Sequence, residues 1–128
     1  MNTNSRNLVG WLLSLFLAYE FGRSAYGNLT AQPRMVESFH TFGYPLWFMT
    51  FTGAVELLAV VLVLIPRLAV VGAAILICVM IGALYSHLAH GQSEAIRLPA
   101  ILLVASIALA WVRSVRPARR QLASPATR

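Results

Sequence analysis

Residues 68–88 have the sequence LAVVGAAILICVMIGALYSHL, and no charged side chain interrupts this run. An α-helix needs about 20 apolar residues to cross the hydrocarbon core of a bilayer. A surface helix of a soluble protein carries charged residues along one face, and this segment has none. The segment therefore predicts a transmembrane helix, and it sets the fold class.

Three further apolar segments occupy residues 8–26, 46–65 and 98–115. Together with residues 68–88 they predict an all-α protein, a bundle of four transmembrane helices. The composition agrees, because only 11% of the residues are charged, whereas a soluble domain has roughly 25%. The lipid bilayer is therefore the expected solvent. Residues 1–116 are predicted to form one membrane domain, and 117–128 a basic, disordered cytoplasmic tail.

The connections between these segments predict how the helices are arranged. Pro66 and Arg67 leave only a tight turn between the second and third spans, so these two form an antiparallel hairpin. In the loop before the second span, Pro33 suits a first helical turn and Gly43 suits a helix end. This pattern predicts a short helix that lies in the membrane interface of the first outer loop.

The arginines predict the orientation in the membrane. An N-in, C-in protein of the inner membrane has seven arginines inside, and three lie outside or near the outer end of a span. Cytoplasmic loops carry the excess of arginine, so this orientation is favoured. The inner set comprises Arg6, Arg67, Arg113, Arg116, Arg119, Arg120 and Arg128. A cleaved signal peptide at residues 8–18 is disfavoured, because no small-residue cleavage site follows.

Two classes of function are excluded by the same composition. The net charge is +6, but half of the basic residues lie in the last sixteen positions, which is typical of an anchor on anionic lipid rather than of a nucleic-acid surface. Cys78 is the single cysteine, so the chain cannot form an internal disulfide or a dithiol redox centre. We expect it to be a small packing residue. No histidine spacing matches a known metal-ligand motif, so no metal or haem site is predicted.

Ionisable residues inside the predicted spans mark a candidate site, because each costs at least about 2.5 kcal/mol to insert. Glu20, Arg23, Glu56 and His87 come from three spans and fall between the midplane and the outer surface. We therefore expect a pocket that opens outward. Glu56 and His87 are the predicted catalytic or proton-handling residues. The predicted ligand-binding residues are Glu20, Arg23, Tyr26 and Tyr85.

Simpler interpretations stay open for each of these residues. Glu20 and Arg23, three apart, could form a purely structural ion pair. His87 could lie in the headgroup region without a function. Glu56 has no basic residue near it in sequence, so it either reaches across to Arg23 or is held as the neutral acid by desolvation. Gly53, three residues earlier, would leave room for a ligand or a neighbouring side chain.

The chain resembles the DoxX-like family of small four-helix membrane proteins. The resemblance runs from about residue 19 to residue 116 and rests on RMVESF at 34–39, FGYP at 42–45, GAVELL at 53–58, IPRL at 65–68 and the His87-Leu88 pair. It implies that Glu56 and His87 are the family's intramembrane acid and helix-three histidine. Many relatives carry a lysine near the end of the first helix, where this chain has Asn28.

What the resemblance implies about activity is broad. Some family members are membrane subunits of thiosulfate:quinone oxidoreductase, and others are linked to quinone or thiol stress. Distant animal relatives resemble receptor-assembly chaperones. We therefore expect a redox-related inner-membrane protein that binds a quinone or a similar amphipathic molecule. The chain has no flavin or dinucleotide motif, so a partner subunit would supply electrons.

Two other functions and the oligomeric state stay open. A non-catalytic scaffold subunit of a larger membrane complex is the main alternative. A small-molecule carrier is less favoured, since no inverted repeat is evident. The sequence does not decide whether the protein is an enzyme or whether it forms a homo-oligomer.

Overall fold

The structure, a computed structural model, describes residues 2–114 of the chain. Every regular element in this range is helical, which confirms the predicted all-α class. Five α-helices follow one another within it: α1 (Thr3–Leu29), α2 (Pro33–Phe42), α3 (Leu46–Val63), α4 (Ala69–Ala89) and α5 (Arg97–Ser114). Short 3-10 helices at Pro66–Leu68 and Ser93–Ile96 connect α3 to α4 and α4 to α5. The predicted tail, residues 117–128, lies outside the described residues.

The four long helices, α1, α3, α4 and α5, pack as an up-and-down bundle. The end of α1 contacts the first half of α3, where Ser24 bonds to Glu56, and its beginning contacts the end of α5, where Arg113 bonds to Asn7. Helix α2 therefore lies at the end of the bundle where α1 finishes, which we call the α2 end. The opposite end, where α1 begins and α5 finishes, is called the Arg113 end. Apolar side chains from all four helices fill the core: Leu17, Phe21, Ala59, Val63, Leu76, Leu102 and Leu109.

Three segments are long and apolar enough to cross a membrane: Leu46–Val63, Pro66–Ala89 and Ser93–Ser114. At most 28% of each segment is buried inside the bundle, so most of its apolar side chains face outward. Such an outward apolar surface suits lipid. Helix α1 has 27 residues but carries Glu20 and Arg23, and it is not among these segments. Its crossing of the membrane stays a prediction.

The short helix predicted in the first loop is confirmed as α2. Pro33 stands in its first turn, and Gly43 ends it in the left-handed conformation, with φ of 80°. The amides of Gly43 and Tyr44 bond to the carbonyls of His40 and Phe39 and so close the last turn. Whether α2 lies in a membrane interface stays a prediction.

The antiparallel hairpin of α3 and α4 is confirmed, and it turns through the 3-10 helix that begins at Pro66. A Cβ atom at Gly72 would lie 2.8 Å from the backbone nitrogen of Val63, so the absence of a side chain allows this close contact. Ala69 and Ala73 are fully buried beside it. Cys78, in contrast, is exposed, so the structure does not show the small packing residue that was expected at this position.

Candidate ligand-binding site

Glu56 is buried in the middle of α3, with 2% of its surface exposed. The buried residues of α3 recur every three or four positions: Met49, Gly53, Glu56, Ala59 and Val63. This spacing places the carboxylate on the packed face of the helix, which is turned toward α1. The predicted burial of Glu56 between helices is therefore confirmed.

Two side chains of α1 hold the carboxylate. The Ser24 hydroxyl lies 2.9 Å from Oε2 and 3.1 Å from Oε1, and the Asn28 amide donates to Oε1 over 2.9 Å. Ser24 and Asn28 are four residues apart and so lie on the same helix face. Of the two alternatives left open for Glu56, the one in which it reaches across to Arg23 was wrong, because its partners are Ser24 and Asn28.

Sequence reasoning missed Ser24 and noted Asn28 only as a departure from relatives. The signal that could have found them is their spacing. Two polar residues four apart on an otherwise apolar helix can both reach one acid on a neighbouring helix. The candidate site was predicted from ionisable residues inside the spans, and neither serine nor asparagine is ionisable.

Gly53 allows α1 to come close enough for these bonds. A Cβ atom at this position would lie 2.9 Å from Cβ of Asn28 and 3.3 Å from the carbonyl oxygen of Ala25. Real side chains do not approach that closely, so any other residue would push α1 away. The space predicted beside Gly53 is therefore filled by the neighbouring helix.

The polar cluster has more acceptors than donors. A carboxylate can accept about four hydrogen bonds, whereas Ser24 and Asn28 supply one hydrogen each. The other amide atom of Asn28, Oδ1, is buried and has no partner among the described residues. Buried polar atoms nearly always find a partner, so this excess needs an explanation. A ligand that donates hydrogen bonds would provide one.

A cavity of about 1120 Å³ adjoins this cluster. It lies at the α2 end, between the second half of α1, α2, the first half of α3, the end of α4 and the start of α5. Most of its surface is apolar, and its aromatic lining includes Phe39, Phe42, Tyr44 and Phe48. Ser24, Asn28 and Glu56 all line it. Apolar cavities with a few placed polar groups are typical ligand sites.

A second polar group lies at the end of α4. The Ser86 hydroxyl donates to the carbonyl of Gly82, so the Tyr44 hydroxyl, 2.8 Å away, donates to Ser86. Nδ1 of His87 lies 2.8 Å from Oε1 of Gln92, an atom that only accepts. The proton of a neutral His87 is therefore on Nδ1, which leaves Nε2 as an acceptor. His87 also lines the cavity.

The other predicted site residues do not contact Glu56, and they differ in whether they line the cavity. Arg23 is exposed, and its guanidinium carbon lies 5.5 Å from the ring centre of Tyr19. No ion pair joins it to Glu20 in the described part of the chain, so the structure does not favour the alternative of a structural ion pair between the two. Both residues line the cavity, as does Tyr26, which is 64% exposed. Tyr85 does not line it and is 69% exposed, so the structure does not bring this predicted ligand-binding residue to the cavity.

No group of three or more histidine, cysteine, aspartate or glutamate side chains within residues 2–114 could hold a metal ion. The site provides the buried carboxyl group of Glu56, the amide oxygen of Asn28 and an imidazole nitrogen of His87 beside an apolar cavity.

The fold and the buried cluster define a small helical membrane protein with a cavity at one end of its bundle. The sequence profile of the DoxX-like family matches residues 12–109, and the chain belongs to this family. It is 37% identical over 68 residues to the uncharacterized protein YdgD of Bacillus subtilis (strain 168), a match over 50% of this chain and 60% of that protein. No solved structure matches the chain.

Proposed function

We propose that this protein binds a quinone or a similar amphipathic small molecule in the cavity at the α2 end. The observation that carries the proposal is the burial of Glu56 and Asn28, bonded to each other and to the half-buried Ser24, beside an apolar cavity of about 1120 Å³. Inserting an acid into a membrane bundle costs free energy, so an acid found there usually marks a functional site. The apolar lining of the cavity suits the ring and the hydrophobic tail of a quinone. The polar cluster of Ser24, Asn28 and Glu56 suits its polar head group.

The polar head is expected to donate hydrogen bonds. Asn28 Oδ1, Nε2 of a neutral His87 and Glu56 in its ionised form are all acceptors, whereas a quinone offers only carbonyl oxygens. Its reduced form, a hydroquinone, carries two hydroxyl donors. The cavity therefore favours the hydroquinone form, with Glu56 and His87 as the groups that accept its hydrogen bonds and handle its protons. Glu20, Arg23 and Tyr26, which also line the cavity, would surround the other side of the hydroquinone head group.

In the same proposal the chain crosses the inner membrane four times, with the N- and C-termini inside. Arg6, Arg67 and Arg113 lie at the Arg113 end of the bundle, and Arg34 and Arg97 lie at the α2 end. Arg116 and the three arginines of the predicted tail follow Arg113 in the sequence. The positive-inside rule therefore supports an Arg113 end in the cytoplasm and a cavity that opens on the outer side.

The redox role requires a partner. A membrane-bound redox subunit would deliver or remove the electrons. The protein then contributes a bound quinone and groups that move protons. In the alternative, a scaffold subunit, the cavity would hold no small molecule and the chain would serve only to assemble its partner.

The test is native mass spectrometry of the gently solubilised full chain, followed by titration with a short-chain hydroquinone and its quinone. We expect a bound quinone-class molecule and tighter binding of the hydroquinone. Glu56→Gln should weaken binding, whereas Glu37→Gln, at an exposed position of α2, should not. A co-purified subunit with no small molecule and no binding in titration would favour the scaffold and contradict this proposal.

A further inference from the structure

The cavity at the α2 end reaches the outer surface of the bundle on α3 and α4. Three of the residues that line it are exposed there: Phe51 of α3, at 56%, and Cys78 and Gly82 of α4. We call the opening at these three residues the side window. Cys78 lies near the middle of α4, within a segment long and apolar enough to cross a membrane. The side window is therefore at a depth where lipid, not water, surrounds a membrane helix.

Two contacts between α3 and α4 bound the side window. Toward the Arg113 end, a Cβ atom at Gly72 would lie 2.8 Å from the backbone nitrogen of Val63, so the two helices touch there. Toward the α2 end, the hydroxyl of Tyr44, just before α3, lies 2.8 Å from the hydroxyl of Ser86 on α4. Between these contacts, a Cβ atom at Gly82 would meet no atom within 4 Å. The two helices are thus held together on both sides of a gap.

The side window and the polar cluster belong to one cavity. Glu56 and Asn28 line it, and so do Val55 and Val79, which lie on the same two helices as the side window. A ligand whose head group contacts Glu56 therefore has an apolar path to the bilayer. A second copy of the chain could cover the outer surface of the side window, but it would leave the cavity behind it unfilled. The continuity of the two spaces favours one ligand that occupies both.

We propose that the side window holds the hydrocarbon tail of a membrane-dissolved ligand whose head group binds at Glu56. This inference rests on the proposed function and adds the class of ligand, a hydroquinone with a long tail. A tail that leaves through the side window stays in lipid, so its length requires neither cavity space nor exposure to water. Gly82 sets the width of the side window, because it has no side chain.

The test compares two hydroquinones that share a head group, one with a methyl substituent and one with a decyl tail. Each is titrated into the full chain in lipid nanodiscs, and we expect the wild type to bind both. Gly82→Leu narrows the side window. It should weaken binding of the decyl compound about tenfold more than binding of the methyl compound, a difference of about 1.4 kcal/mol. Comparing variants at one ligand cancels the partition of that ligand into lipid.

Control variants separate the side window from a general effect of added bulk on α4. Ala74→Leu places the same side chain at an exposed position of α4 that does not line the cavity, and it should leave both affinities unchanged. Gly82→Ala adds one methyl group to empty space and should give a smaller effect in the same direction as Gly82→Leu. Binding of the methyl compound shows that a variant is folded. If Gly82→Leu does not fold, Gly82→Ala and Cys78→Leu decide.

Three results would overturn this inference alone. Equal weakening of both compounds in Gly82→Leu would show that the head group, not the tail, lies beside Gly82. Unchanged binding of the decyl compound in Gly82→Leu and Cys78→Leu would show that the tail does not leave through the side window. A dimer in native mass spectrometry that dissociates in Gly82→Leu would show that a second copy covers it. Binding of neither compound by the wild type is a different result, because it would contradict the proposed function as well.

Discussion

The Ser24 hydroxyl on α1 lies within 3.1 Å of both carboxylate oxygens of Glu56 on α3. This hydroxyl and the Asn28 amide together fix the position of the acid relative to the cavity. Since the hydroxyl has only one hydrogen, it fully satisfies only one of the two oxygens at a time. The carboxylate is fixed in place and still able to accept further hydrogen bonds, which are the two properties that a binding group needs.

Gly53→Ala should destabilise the protein. The new methyl group would lie 2.9 Å from Cβ of Asn28, against a helix that has little freedom to move. Overpacking of this kind costs about 1–3 kcal/mol. The measurement is the free energy of unfolding in detergent. Gly82→Ala is the matched control, because no atom lies within 4 Å of its added Cβ. Equal stability of the two variants would contradict the close contact of α1 and α3.

Asn28→Ala should also destabilise the protein, for a different reason. The change removes one of the two donors to the buried carboxylate of Glu56. Leaving a buried acceptor without its donor costs about 1–3 kcal/mol. Unfolding in detergent is again the measurement, and Asn4→Ala, at an exposed position in the first turn of α1, is the control. If both asparagine variants unfold alike, the hydrogen bond contributes nothing.

Glu56→Gln should preserve protein abundance and weaken ligand binding. Glutamine has the same shape, so its oxygen can accept from Asn28 while its amide nitrogen donates to Ser24, but it removes the charge and the capacity to exchange a proton. Arg23→Gln should leave abundance unchanged, because Arg23 is exposed and does not pair with Glu56. Abundance is measured by immunoblot and binding by titration.

The double variant decides whether Glu56 and Arg23 depend on each other. We expect Glu56→Gln with Arg23→Gln to bind no better than Glu56→Gln alone. If abundance fell in the single variant and returned in the double, together with full binding, the two residues would be a structural pair. That outcome would remove the case for a binding role of Glu56.

The topology is tested by reporter fusions. A fusion after Arg67 should report a cytoplasmic location, because this residue lies in the α3–α4 turn at the Arg113 end. A fusion after Gln92, in the α4–α5 connection, should report the outer side. A fusion after Arg116 should report the cytoplasm. An outer location at Arg116 would contradict the four-span orientation.

The helices could be predicted from the sequence because their patterns are long and unambiguous. Residues 46–65 and 68–88 became α3 and α4 almost without change, and Pro33 and Gly43 marked the ends of α2. The partners of Glu56 could not be predicted, because a contact between two helices depends on their rotation about their own axes. Residue type gave the wrong answer here, since it favoured the charged Arg23 over the neutral Ser24.

The pocket, too, could be predicted from the sequence only in part. Burial and depth correctly indicated that Glu56 lies between helices, and the depth of Glu20, Arg23, Tyr26 and His87 placed them around the cavity. Tyr85 is next to Ser86 in the chain, yet the two side chains point in different directions, since neighbouring residues on a helix differ by about 100°. Adjacency in sequence therefore misassigned Tyr85.

The placement of both Glu56 partners on α1 also has a consequence for synthesis at the ribosome. Helix α1 is made first, and Ser24 and Asn28 precede Glu56 by 32 and 28 residues. When α3 leaves the insertion machinery, its acid would meet lipid unless α1 were still beside it. In the proposed four-span topology we therefore expect α1 to supply these donors while α3 inserts, and a fragment that begins at α2 would have to insert an acid with no donor beside it.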